Sequence, residues 1–215
     1  MYTPRHFELH DPDAIRRILD GYGFALLVTS EDGVPEATHL PLIYDPAPAP
    51  HGRLLGHFAR ANGQGQRLEA AARENREVLA VFQGPHSYVS PNDYGPGPAT
   101  VPTWNYLAVH VYGMPKPMTK VEDVSGLLHR LTARHEASRA MAWSPQELDP
   151  ELMARMPRGV FAFEIAITRI QAKAKLSQNR TPAQAAHAAA RLEAMEDPMT
   201  QETGRQMRTV VEALS

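Results

Sequence analysis

The chain has 215 residues, 43% hydrophobic and 21% charged, with a formal net charge of −2 and no cysteine. That is enough chain to bury one sizeable core, while the lack of cysteine excludes disulfide staples, thiolate catalysis and cysteine-ligated zinc or iron–sulfur centres. The near-neutral balance offers no global field for nucleic acid or an anionic membrane, and no apolar run reaches the length of a membrane span or signal peptide, so a cytoplasmic location is expected.

Asp11-Pro12 reads as an N-cap with proline at the first helical position, and Ile15, Ile18 and Leu19 then share a face until Gly21 and Gly23. The apolar run Phe24 to Ser30 meets the turn pair Asp32-Gly33, after which Ala37 to Asp45 resumes an extended pattern, a hairpin signal. The Pro/Ala-rich segment Pro46 to Pro50 cannot pair as a central strand, so it predicts a loop leading to a third strand, Arg53 to Ala59. Leu68, Ala71 and Ala72 suit a helix between Gln64 and Asn75, and Val78 to Phe82 returns to strand. Gly84 to Pro102 shows neither period and predicts a long loop, of the kind that often carries function. Leu107 to Tyr112 alternates as a half-buried strand, Val124, Leu127, Leu128 and Leu131 stripe a helix, and Ser144-Pro145-Gln146-Glu147 has capping-box spacing for another. Phe161, Phe163, Ile165 and Ile167 point one way from a long strand. Two helices close the chain, starting at Thr181-Pro182 and Asp197-Pro198. Hairpins with few intervening helices predict an α+β, mainly β protein: an antiparallel sheet or barrel with peripheral helices, not a doubly wound parallel sheet.

Three short segments concentrate chemistry. "VPTWNY" (Val101 to Tyr106) crowds an indole and a carboxamide, whose polar groups need partners if buried, into either a satisfied corner or a ligand-pocket wall. "KLSQNR" (Lys175 to Arg180) joins an ammonium, a hydroxyl, two carboxamides and a guanidinium; it suits an anion or a heterocycle edge, or is a polar exit loop with Asn179 or Thr181 near a helix start. "GHFARAN" (Gly56 to Asn62) sets His57, Arg60 and Asn62 where a strand passes to a helix, a place that favours phosphate; equally, Asn62 caps the helix and His57 is a structural imidazole. The ten histidines include no local ligand set, and His135-Glu136 lacks the second histidine of a zinc-protease motif, so no metal site is expected. Nucleophile-elbow, phosphate-loop and Rossmann motifs are missing too. Charges on the closing helices are mixed: Arg180, Arg191, Arg205 and Arg208 against Glu193, Glu196, Asp197, Glu202 and Glu212, which argues against direct DNA binding.

Taken in order, "MYTPRHF", "ATHLPL", "GHFARAN", "FQGPHSYVSP", "VPTWNYLAVHVYG" and "KLSQNR" span nearly the whole chain, and on them the sequence resembles the PaiB family. Its members are described as FMN-binding negative transcriptional regulators. The resemblance implies an antiparallel split β-barrel of six strands over residues 1–175, with inserted helices, and a C-terminal helical extension over 176–215 packed on the barrel. It further implies a homodimer with FMN near the interface. Thr103, Trp104 and Asn105 would then belong to the flavin pocket, Lys175, Ser177, Gln178 and Asn179 to its second signature, and Thr38, His39, His57, Asn62 and Ser90 are further cofactor-binding candidates. Two departures stand out: Gly63, Gln64 and Gly65 replace an expected proline and aromatic residue, and Asn92 to Thr100 lacks an expected tryptophan and lysine. The functions to be weighed are an FMN-dependent oxidoreductase, a flavin-sensing regulator, and a haem-binding or haem-degrading relative. No side chain declares itself a catalytic acid or base.

Overall fold

The computed structural model describes residues 1–48, 50–99 and 101–213, with only the backbone of Ala213; Ala49 of the predicted proline-rich loop, Thr100 of the second departure, and Leu214 and Ser215 of the predicted extension lie outside the described residues. Helix α1 is Pro12–Gly21, and the Asp11 carboxylate accepts from Asp13 N at 3.0 Å as its cap. Strands β1 (Phe24–Glu31) and β2 (Val34–Asp45) form the predicted hairpin. Its two-residue turn needs positive φ at both positions, and Asp32 (50°) and Gly33 (78°) supply it. Then come β3 (Arg53–Ala59), α2 (Gln64–Arg73), β4 (Val78–Val89), β5 (Thr103–Pro117), α3 (Val121–Glu136), α4 (Pro150–Arg155), β6 (Val160–Lys175), α5 (Pro182–Glu193) and α6 (Pro198–Ala213). The strand order β1-β2-β3-β6-β5-β4 closes as a barrel, with β1 antiparallel to β2 and β4, β2 to β3, and β3 to β6. Among the described residues no helix is long and apolar enough to cross a membrane.

Two expectations are corrected. Strand β4 runs on to Val89, so the loop predicted from Gly84 begins only at Ser90. Gly84 is there because β5 passes close: a Cβ would sit 2.8 Å from the Leu107 Cβ, so this glycine marks a close approach and not a turn. The capping box at Ser144 forms in full, but it opens only a 3₁₀ turn, Pro145–Glu147. Pro150 disfavours helical backbone at Asp149, which breaks the run and lets Asp149 cap α4 separately.

By contact the chain divides into two units, one holding Met1–Tyr22, Phe82–His110 and the chain from Gln171, the other Gly23–Val81 and Val111–Ile170, so β4, β5 and β6 each contribute to both. This division does not follow the sequential split at residue 175.

In the Gly23–Val81/Val111–Ile170 unit, the α3 stripe Val124, Leu127 and Leu131 is buried with Ile43, Leu55 and Ala162. Phe58 and Phe161 stack with ring centroids 5.3 Å apart. Arg53 links Asp45 (3.1 Å) and Glu164 (2.8 Å), with Lys116 and Arg130 on the outer sides of the same carboxylates. Burial pushes both carboxyl pKa values up, but hydrogen bonds outweigh it, from the Ala47 N–H, Arg53 and Arg130 at Asp45 and from Lys116 and Arg53 at Glu164, so both lie below the ordinary range.

In the other unit α5 buries Ala185, Ala188, Ala189 and Leu192. Helix α6 approaches it so closely that a Cβ on Gly204 would meet the Ala189 carbonyl oxygen at 2.8 Å.

Candidate functional site

Strand alternation decides what the "VPTWNY" segment can do. On β5, Trp104 is 55% exposed whereas Asn105 is 0% exposed, so the two point to opposite faces. The indole lies beside Tyr88 (centroids 6.2 Å) and His86 (6.4 Å), on an open cavity of about 720 Å³ shared with Met195, Asp197 and Met199. Ser90 lines the same cavity and also opens the 3₁₀ turn Pro91–Tyr94, where Asp93 Oδ2 accepts from Ser90 N at 2.8 Å. Lys175 does not line it. The indole and the ammonium therefore do not both line this cavity.

On the inner side of β5, Asn105 Nδ2 donates to Ser177 Oγ at 2.8 Å and to Met207 Sδ at 3.2 Å, and Tyr94 Oη bonds the same Ser177 Oγ at 2.8 Å. Ser177 is 2% exposed, sits at φ 69°, and is the hub of this network. Asn105 Oδ1 is buried without a hydrogen-bond partner among the described residues. Asn105 and Ser177 thus form an interior polar network, not an open pocket wall. Gln178 closes the turn after β6, accepting from Leu176 N at 2.8 Å and donating to Ala174 O at 2.6 Å. Asn179 is exposed. For these two side chains the plain reading of a polar exit loop describes the geometry.

The cations of the segment are arranged differently. Lys175 Nζ meets Thr103 Oγ1, and no carboxylate pairs with it among the described residues. Burial, then the charges of Lys173 and Arg180, hold its pKa below the ordinary lysine value. Arg180 lies over the Tyr94 ring at 5.2 Å. Lys173, two residues before Lys175 on the same strand face, is 6% exposed. Tyr94 and Lys173 were not singled out from the sequence; two lysines at alternate positions of a strand were the available signal for the second, and a tyrosine in a proline- and glycine-rich loop offered none for the first.

The remaining candidates lie in the other unit. Asn62 Nδ2 donates to Thr38 Oγ1 at 3.2 Å, and Asn62 Oδ1 accepts from Gln64 N at 2.9 Å, so Asn62 does tie down the start of α2. Arg60, exposed, donates to the carbonyls of Arg158 (2.9 Å) and Val160 (2.8 Å). His57 is half-buried, its Nδ1 has no hydrogen-bond partner among the described residues, and burial lowers its pKa. His39 is exposed and stacks on Phe24 at 6.0 Å. The departure at Gln64 has a structural use: fully buried, its Nε2 lies within hydrogen-bond distance of Leu27 O (3.0 Å), Thr29 Oγ1 (3.1 Å) and Glu36 O (3.1 Å), and its two hydrogens, shared among these acceptors, clamp α2 to β1 and β2. At the second departure, Asp93 O bonds His187 Nδ1 at 2.8 Å and Pro98 O accepts from Gln184 Nε2 at 3.0 Å, so α5 holds the loop. Among the described residues no three His, Asp or Glu side chains group as a metal site.

Comparison with known proteins sets this geometry in a family. The family model described as "Putative FMN-binding domain" matches residues 1–169. The chain is 37% identical over 180 residues to "Protease synthase and sporulation protein PAI 2" of Bacillus subtilis (strain 168), covering 84% of this chain and 83% of the relative. In structure it resembles the flavocytochrome Anf3 of Azotobacter vinelandii (TM-score 0.60, 15% identity, 80% of this chain and 72% of that one). It also resembles the FAD and heme binding protein of Mycobacterium smegmatis (TM-score 0.53, 16% identity, 78% and 73%). At such identities the two structures speak for the fold alone, the split barrel with its helices; together with the match over residues 1–169 and the Bacillus relative, they establish that the chain belongs to the PaiB family of FMN-binding split-barrel proteins.

Proposed function

We propose that the chain holds FMN with its phosphate against Lys175, Arg180 and the Thr103 hydroxyl, and works as an FMN-dependent oxidoreductase. One observation carries the reading: Lys175 is a part-buried ammonium beside two further cations, with no carboxylate among the described residues to compensate it. Such an arrangement is unfavourable by itself and fits a dianionic phosphate. The alternative cluster at Thr38, Arg60 and Asn62 supports the phosphate less well, because each of its polar groups already has a partner within the chain.

When bound, FMN supplies the electron-transfer chemistry at its isoalloxazine ring. The chain's own part is positioning and electrostatics. Lys175 and Arg180 supply charge; the buried bond from Ser177 to Asn105 and Tyr94 keeps the end of β6 and the following turn in place for them. Trp104 and Tyr88 offer flat apolar surface suited to a ring or to a second copy of the chain in a homodimer.

A regulator that binds DNA directly is less well supported. On α5 and α6, Arg208 is paired with Glu193 at 2.6 Å and Arg205 with Glu202 at 2.7 Å, which removes much of the basic face that phosphate-backbone binding needs. A haem-binding reading draws on the Mycobacterium smegmatis fold relative and on the free Nδ1 of His57.

Purified protein should be yellow, or turn so on adding FMN, and release FMN on heating. Titration of Lys175→Ala and Asn62→Ala then assigns the phosphate: loss of FMN affinity confined to the first supports the Lys175 site, and loss confined to the second moves it to the α2 cluster. Protein that ignores FMN but develops a Soret band with haem would overturn the reading. Sedimentation with and without FMN tests the homodimer.

A further inference from the structure

We propose that Lys173, which no flavin atom need touch, is the positioning residue that makes this site select phosphorylated over unphosphorylated flavin; the inference rests on the assignment of the phosphate to Lys175. Lys173 is 6% exposed, an unusual place for an ammonium. Its Nζ donates to the Tyr2 carbonyl at 3.2 Å and lies 5.1 Å from the Tyr106 ring centre and 5.9 Å from those of Tyr2 and Phe7. Three ring faces and one carbonyl stabilise a cation without neutralising it, because quadrupoles and dipoles carry no net charge. The residue opposite it across the chain is Glu8, whose Oε2 lies 3.5 Å from His10 Nε2. The N-terminal segment is held down here by Leu9 N bonding Ala172 O at 3.1 Å.

The Lys173 ammonium is therefore held, largely out of water, two residues from Lys175 on the same strand face. Like charges so placed destabilise a strand unless something negative answers them. Its field acts on Lys175, whose pKa it helps to depress, and on whatever anion Lys175 holds. A neutral ribityl chain gains nothing from that field, whereas a dianionic phosphate gains twice. The aromatic cage of Tyr2, Phe7 and Tyr106 is thus part of the phosphate site at one remove, and residues of the N-terminal segment contribute to flavin choice without lining the pocket.

The test compares FMN with riboflavin by fluorescence titration in wild type, Lys173→Met and Lys173→Arg, with inorganic phosphate as competitor. Wild type should prefer FMN, and phosphate should displace it. Lys173→Met should cut that preference on the order of tenfold, as expected for one charge acting across a partly screened gap, while Lys173→Arg retains it. Without any flavin present, the pKa of the Lys175 amine, followed by its rate of modification against pH, should rise in Lys173→Met. An unchanged preference and an unchanged Lys175 pKa in a folded Lys173→Met protein would overturn the inference. So would equal weakening of both flavins, which is what a purely structural residue does. If Lys175→Ala abolishes FMN binding while Lys173→Met keeps the preference, only this inference falls; if wild type binds riboflavin as tightly as FMN, the phosphate assignment falls with it.

Discussion

Ser177 offers a measurement in which two effects of known sign can be separated. Its hydroxyl is the shared partner of Tyr94 Oη and Asn105 Nδ2, both at 2.8 Å and both buried, while its backbone sits at φ 69°, where L-residues are disfavoured. Ser177→Ala removes the hydroxyl and leaves both groups short of a bond; each such buried loss costs about 1–3 kcal/mol, so about 2–6 kcal/mol together. Ser177→Gly removes the same hydroxyl but relieves the left-handed conformation, worth about 1–2 kcal/mol for an L-residue, less the greater freedom glycine has when unfolded. The expected order is therefore wild type, then Ser177→Gly, then Ser177→Ala, with the last two about 1 kcal/mol apart. Thermal melts and urea titrations of the flavin-free protein read this directly, each kcal/mol moving the midpoint by about 2–4 °C for a chain of this size. A Ser177→Ala midpoint within 2 °C or so of wild type would refute the energetic role assigned to the network. Coincident curves for the alanine and glycine proteins would refute the cost assigned to the backbone.

Three other outcomes follow from the same structure. Lys175→Ala should weaken FMN roughly 10–100-fold, the range for one charge-assisted contact, and leave riboflavin nearly unaffected; a parallel loss for both would show that the phosphate is not what Lys175 meets. His57 should make the protein acid-sensitive. Burial lowers its folded pKa below the unfolded value of 6.5, so the unfolded chain takes up the proton first; its contribution is full above pH 6.5 and is lost as pH falls through the lower folded value. His110, depressed by burial and then by the nearby terminal amine, acts in the same direction. Replacing His57 by Gln should flatten the fall in stability just below pH 6.5, and an unaltered slope in chemical unfolding at stepped pH would count against it. Gln64→Leu should destabilise by about 1–3 kcal/mol, because the Leu27 and Glu36 carbonyls lose a donor in the interior; a chevron or melt unchanged from wild type would mean that water replaces it.

Most secondary structure was readable because its causes are local. Asp11-Pro12, Asp32-Gly33 and Thr181-Pro182 act through their own backbone and nearest neighbours, and each marks the element it was expected to mark. Where reading failed, a residue outside the motif supplied the reason. Gly84 looked like the start of a loop because nothing in its vicinity reveals that Leu107 of β5 passes against it. Ser144 carried a complete capping box, yet Pro150 stopped the helix it announced.

The functional segments divide in the same way. Six motifs in order were enough to identify the PaiB family, and the match over residues 1–169 agrees. The residue types were thus determined by the sequence, but not their directions. Trp104 and Asn105 are neighbours that alternate strand faces drive apart, one to solvent and one to a partner 72 residues away. Tyr94 joins that same partner across 83 residues, and Lys173 finds its cage in a segment 171 residues earlier. Contacts at such separations depend on strand register and pleat, which a linear pattern leaves open, so only the tertiary structure could show which polar groups are satisfied within the chain and which cation has no carboxylate partner among the described residues.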